Sequence, residues 1–226
     1  AYKNLQFLNS RAARPVRILC EYEEPKARFE AEGVENTIVM FGSARIRSEE
    51  EAQETLQKAE AALASGEGSE EAVSTAKKRL ALSSYYAQTV ELAKRLTEWS
   101  MNRDGPDYHI CSGGGRGIME AANRGASEAG GMNVGLGISL PHEQHPNPYI
   151  PRSLSFEFHY FFMRKLWFMY LAKAMIVFPG GFGSLDELFE TVTLVQTGKI
   201  KKHMPILLYG KEFWNDVLNL DALVKY

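Results

Sequence analysis

Ala174 to Phe178 is a five-residue apolar run, AMIVF, closed by Pro179-Gly180-Gly181 and followed by a helical pattern. A run that short, set between a charged helical stretch and a Pro-Gly-Gly turn, reads as a buried parallel strand. Gly180, Gly181 and Gly183 let the backbone turn sharply and leave amide N–H groups uncovered by side chains. Ser184 stands where a helix N-cap belongs, and Leu185, Leu188, Val192 and Val195 continue a helical period. A strand, a glycine turn and a helix N-terminus together form an anion site, because free N–H groups and the helix dipole converge on one spot. Asp186, Glu187 and Glu190 add carboxylates within the same turns. A phosphate pocket rimmed by a carboxylate suggests a phosphorylated substrate and a reaction that needs an acid, a base or a cation stabiliser. A plainer reading stands beside this one. Ser184-x-x-Glu187 also fits a capping box, in which Glu187 only returns to the Ser184 backbone N–H, and many glycine turns after strands bind nothing.

The rest of the chain repeats the same alternation. Residues 1–36 read as an N-terminal helical arm, with a short helix stopped or restarted near Pro25, and residues 37–226 as the main domain. Thr37 to Phe41 is a β-branched strand ending in the small-residue turn Gly42-Ser43-Ala44-Arg45. Ser48 to Ser65 is helical, Gly66 to Ser69 breaks it, and Glu70 to Trp99 resumes a helical period. Both stretches are polar, so they read as a solvated structural insertion, projecting as a hairpin or lying on the sheet. Tyr108 to Cys111 is a second strand, followed by a glycine turn and a helix over Ala121 to Ala129. Met132 to Ile138 is a third strand, Leu140 to Arg152 a proline-rich loop, and Phe156 to Phe158 a short strand. His159 to Ala172 reads as a helix, Met204 to Leu208 as a strand and Phe213 to Val224 as a last helix. Strands alternating with helices indicate an α/β fold with a Rossmann-like, doubly wound parallel sheet.

The 226 residues suffice for one large α/β domain. A formal net charge of −2 argues against nucleic acid or an anionic membrane as the main partner. Two cysteines, Cys20 and Cys111, are too few for a disulfide framework, so a reducing cytoplasmic location is expected. No continuous apolar core resembling a signal peptide opens the chain, and the absence of an initiator Met reads as trimming. Arg164, Lys165 and Lys173 interrupt the most apolar window, so no membrane span is expected.

Ser112 to Met119, SGGGRGIM, is a second strand–glycine–helix turn. As a dinucleotide fingerprint it fails, because Ile118 or Glu120 stands where the third glycine belongs and no acidic residue ends the next strand. A mononucleotide or sugar-phosphate site remains. Two such turns at the carboxyl ends of strands in one sheet converge on one crevice. His142-Glu143-Gln144-His145 has the wrong spacing for a zinc helix motif, and no metal site is expected. Cys111 reads as a buried strand cysteine. Arg164 and Lys165 lie among aromatics, and either a snorkelling position or one facing the crevice fits.

Four separated stretches then carry a resemblance: FGSAR at 41–45, GGGRGIMEAANRGA at 113–126, FHYFFMRK at 158–165 and PGGFGSLDE at 179–187. In this order they resemble the larger bacterial branch of the LONELY GUY (LOG) family, often labelled "lysine decarboxylase". The resemblance implies a homodimer or higher oligomer that hydrolyses the N-glycosidic bond of a purine nucleoside 5′-monophosphate, AMP or N6-prenyl-AMP, without a cofactor. It places the family's essential arginine on Arg164 and its essential glutamate on Glu187. The substrate and phosphate contacts it implies are Ser43, Gly113, Gly114, Gly115, Gly117, Met119, Lys165, Gly180, Gly181, Gly183, Ser184 and Glu190. Arg116 stands where many relatives carry Pro or another small residue, and the family typically runs on past Tyr226, so a missing C-terminal segment is expected. A non-catalytic nucleotide-binding protein is the alternative. The decarboxylase label would require a pyridoxal phosphate Schiff base on Lys165 or Lys173, and no local pattern supports either.

Overall fold

The computed structural model describes residues 1–140 and 145–225. The chain starts with two helices, α1 (Leu5–Leu8) and α2 (Arg14–Ala31), and then alternates strands with helices: β1 (Thr37–Phe41), α3 (Glu49–Ala64), α4 (Glu70–Leu82), α5 (Ser84–Met101), β2 (His109–Ser112), α6 (Ile118–Glu128), β3 (Asn133–Ile138), β4 (Ser155–Phe158), α7 (Phe161–Leu171), β5 (Ala172–Val177), α8 (Phe182–Gln196), β6 (Ile206–Leu208), α9 (Lys211–Val217) and α10 (Leu220–Val224). Among the described residues the six strands form one all-parallel sheet in the order β4-β3-β2-β1-β5-β6.

All five residues of β1 are buried, as expected of a central strand covered on both faces. Successive side chains point to opposite faces. Val39 and Phe41 join one core with Cys111, Val134, Phe168, Met175, Val177 and Trp214. Ile38 and Met40 join the other with Ile110, Ile118, Ala121, Ala122, Ile176 and Phe178. Helices α2, α7 and α8 cover the first face, and α5 and α6 the second. The outward order β1, β2, β3, β4 and the return to β5 and β6 make a doubly wound sheet, with its switch point between β1 and β5.

Several elements differ from the reading of the sequence. Helix α2 runs unbroken through Pro25. Proline cannot donate to the carbonyl four residues back, so Glu21 O lacks its helical donor. The Trp167 indole N–H of α7 fills that vacancy at 3.0 Å. The Glu21 carboxylate also accepts the amides of His159 and Tyr160, at 2.7 and 3.2 Å, just ahead of α7. Arg28 sits 3.8 Å above the Phe156 ring and donates to Ser153 O and Ser155 O. The arm is thus fastened to the β4–α7 corner.

The 70–99 stretch is two helices broken at Ser83. Hairpin α3–α4 closes on a small cluster of its own, Leu56, Val73 and Ala76, whereas α5 packs on α6 and the sheet. The last helical stretch likewise divides, at Leu218–Asn219.

Candidate active site

Three turns meet at the carboxyl ends of β1, β2 and β5. The Ser43 N–H donates to Pro179 O at 3.0 Å, and the Ile118 N–H donates to Ser43 O at 3.1 Å. The β1 turn is therefore a spacer between the two glycine turns. Gly117 has φ +68°, and a Cβ there would collide with Ser43 O and Ala44. Only glycine allows that approach. Between the turns lies a cleft of about 710 Å³, at the switch point where ligands of open α/β sheets bind.

Its walls include Ser43, Gly113, Gly114, Gly115, Met119, Gly181, Gly183, Ser184, Arg164 and Glu187. The amides of Phe182, Gly183 and Ser184 at the start of α8, and of Gly115, Arg116 and Gly117 on the other turn, have no hydrogen-bond partner among the described residues. Both sets belong to helix N-terminal turns, whose orphan N–H groups attract anions. The Ser43 and Gly114 amides are already engaged, the latter with Ser112 Oγ at 3.0 Å.

Helix α8 begins three residues earlier than the sequence suggests. Its N-cap is Gly181, with no side-chain cap. Ser184 is inside the helix, packed against Gly180, where any Cβ would collide with it. The capping box does not form, and the Glu187 carboxylate is free to face the cleft. The buried stripe of α8 is Ser184, Glu187, Leu188 and Thr191, spaced i, i+3, i+4, i+7, while Val192 and Val195 are exposed. The helix therefore turns three polar groups inward beside Leu188 and leaves two valines exposed, against the ordinary pattern.

Glu187 is 3% exposed. Arg164 Nη2 lies 3.3 Å from its Oε1. The guanidinium sits 5.1 Å from the Phe161 ring centroid and 5.6 Å from that of Phe168, on the cleft wall and not at the surface. Its Nε is buried without a partner among the described residues. Burial raises the Glu187 carboxyl from 4.5 to about 7, although Arg164 and Lys165 pull it down. Desolvation therefore outweighs the ion pair. Burial also lowers Arg164, against the pull of Glu187 and Asp186. A carboxyl that exchanges its proton near neutrality, beside a buried guanidinium and two sets of vacant amides, is equipped for proton transfer or for facing a developing cation.

Lys165 and Glu190 do not reach this cleft. Lys165 Nζ is paired with Glu190 at 2.6 Å and Asp186 at 2.8 Å on a separate shallow depression over α7 and α8. Gly117 and Gly180 are not among the residues that line the cleft. The sequence reading missed the buried polar group that holds the β2 turn, Asn123, Asn133 and Asn147. Its only trace in the sequence is asparagine inside an Ala-rich helix, a strand and a proline-rich loop. Cys111 is buried in β2, and burial pushes its thiol up. Among the described residues no cluster could hold a metal ion. His142, Glu143 and Gln144 lie outside the described residues. No helix among the described residues is long and apolar enough to cross a membrane.

The fold and cleft define an α/β protein with a cleft at the switch point of a parallel sheet, flanked by two helix N-terminal turns. A protein-family model described as "Possible lysine decarboxylase" matches residues 119–225. The matched segment contains two of the four motifs that carry the resemblance, FHYFFMRK and PGGFGSLDE, and the end of a third. No curated protein matched the sequence. Among solved structures, a structural genomics target, TM1055, is similar at 18% identity and a TM-score of 0.46, over 80% of this chain and 97% of that one. The Moco carrier protein from Chlamydomonas reinhardtii is similar at 19% identity and a TM-score of 0.37, over 60% and 76%.

Proposed function

We propose that this protein hydrolyses the N-glycosidic bond of a purine nucleoside 5′-monophosphate, releasing the free base and ribose 5-phosphate. The observation that carries the reading is the buried Glu187 carboxyl, set on the wall of a cleft whose rim offers two rows of vacant amides. The amides would take the 5′-phosphate, so binding energy remote from the reacting carbon positions the ribose. Breaking the C1′–N bond leaves positive charge on the sugar, as in glycoside hydrolysis. Ionised Glu187 would stabilise that charge and accept a proton from the attacking water. The water oxygen bonds to C1′, and the departing base takes up a proton. Arg164 would polarise the base or neutralise phosphate.

A pyridoxal phosphate decarboxylase fits poorly. Among the described residues no lysine lines the cleft, Lys165 is held by two carboxylates, and Lys173 is exposed. The resemblance implies a homo-oligomer. Exposed Phe162, Leu166 and Tyr170 on α7, and Phe189, Val192 and Val195 on α8, support self-association.

Incubation with AMP or N6-prenyl-AMP, followed by chromatography for free base, tests the reading. Glu187→Gln should bind nucleotide and release none. Base release at the native rate by that variant would refute the assignment, and nucleotide binding without release by the native chain would leave a binding protein.

A further inference from the structure

Two carbonyls of the β2 turn end on one side chain. Asn147 Nδ2 lies 3.1 Å from Gly114 O and 3.1 Å from Gly115 O, and 2.9 Å from Asn123 Oδ1. The Asn147 backbone N–H donates to Gly114 O as well, at 2.8 Å. In a trans peptide unit the carbonyl of one residue and the N–H of the next point to opposite sides. Holding Gly114 O and Gly115 O on one side therefore turns the N–H groups of Gly115 and Arg116 to the other. Those two amides have no partner among the described residues, and Gly115 lines the cleft.

Asn147 is itself held from behind. Asn123 Oδ1 also accepts from Ser112 Oγ at 2.6 Å, and Asn123 Nδ2 donates to Asn133 Oδ1 at 2.9 Å and Val134 O at 3.2 Å. Asn133 Nδ2 donates to Tyr149 O at 3.1 Å. Ser112, Asn123, Asn133 and Asn147 are all buried. The chain buries four polar side chains where apolar ones would pack without such demands, and a network of that kind fixes one geometry only when each member is satisfied.

We propose that Asn147 is a positioning residue for phosphate: it sets the peptide planes of Gly114–Arg116 so that two N–H groups face the anion. This rests on the proposed function for the identity of the phosphate's owner. Anion binding by the turn can be measured without any turnover.

The test is calorimetric titration of the full chain with inorganic phosphate, ribose 5-phosphate, AMP and adenosine. Native protein, Asn147→Asp and Asn147→Ser are compared, with folding checked by circular dichroism. Aspartate keeps the shape but cannot donate and sets charge against two carbonyls, whereas serine retains one donor. Phosphate-bearing ligands should bind at least tenfold more weakly to Asn147→Asp and by a smaller factor to Asn147→Ser, with adenosine affinity unchanged. In turnover, the KM for AMP should rise more than kcat falls. Unchanged phosphate affinity, an equal loss for adenosine, or a native chain indifferent to phosphate and ribose 5-phosphate would overturn the inference. A native chain that binds phosphate through Asn147 but releases no base would overturn the hydrolase and leave the inference standing.

Discussion

The Glu187→Gln substitution separates the cost of the site from its use. The carboxyl stands at about 7 in the folded chain, against an ordinary 4.5. Each pKa unit between folded and unfolded states is worth ~1.36 kcal/mol, so ionised Glu187 costs the folded chain about 3 kcal/mol. The folded pKa is the higher one, so between pH 4.5 and about 7 the folded state binds more protons than the unfolded. Its stabilising contribution is present below 4.5 and is lost as pH rises through 7. Glutamine keeps the shape and does not titrate. The stability of the variant relative to native protein should therefore increase by about 2–3 kcal/mol between roughly pH 5 and pH 8, with the sign favouring the variant. Urea unfolding of both proteins at each pH, at one protein concentration and with equal m-values, measures this, because every other titrating group cancels in the difference. Parallel stability curves would show that burial does not govern Glu187, and the argument for a neutral-pH carboxyl would fall with it.

Three further outcomes follow from the same contacts. If Glu187 works ionised, kcat/KM for base release should fall as pH drops through about 7. Because Arg164 holds that carboxyl down, a pH–rate profile of residually active Arg164→Ala should have its midpoint at higher pH. Glu21→Ala removes the acceptor of the His159 and Tyr160 amides and should cost about 1 kcal/mol, read as a melting temperature lower by ~2–4 °C. Gly117→Ala combines a left-handed φ with a collision against Ser43 O, and should destabilise by about 3 kcal/mol or more in denaturant titration.

The strands were legible in the sequence because their apolar runs are short and closed by Gly or Pro, and because the helices between them make a parallel sheet the economical solution. The cleft was legible from two glycine turns in one sheet. The start of α8 was not. Ser184 is a good cap by residue type, but the turn closes at Gly181, so the serine falls inside the helix. The apolar period through Leu185, Leu188, Val192 and Val195 was right for the two leucines and not for the two valines, since the core side of α8 carries Ser184, Glu187 and Thr191 beside Leu188. Lys165 and Glu190 sit beside the site in sequence but pair with each other on a different face of the same helices. The break at Ser83 carries no Gly or Pro, and the continuity through Pro25 depends on a donor from α7, a partner that local sequence cannot reveal. The buried network of Ser112, Asn123, Asn133 and Asn147 is assembled from positions up to 35 residues apart, so its pairing exists only in the fold.

The missing rung at Pro25 has a consequence for how the arm docks. A regular helix offers no preferred carbonyl to a neighbour, since each is already taken by its own ladder, and it can slide or roll by a residue at little cost in polar pairing. Here one carbonyl is vacant and one indole is unmatched, and they meet only when Glu21 faces Trp167. Shifting the arm by one position strands both groups, at about 1–3 kcal/mol apiece. The proline thus acts as a notch that admits α2 in a single phase. Because Glu21 in the same turn grips the amides leading into α7, that phase is passed on to the helix carrying Arg164.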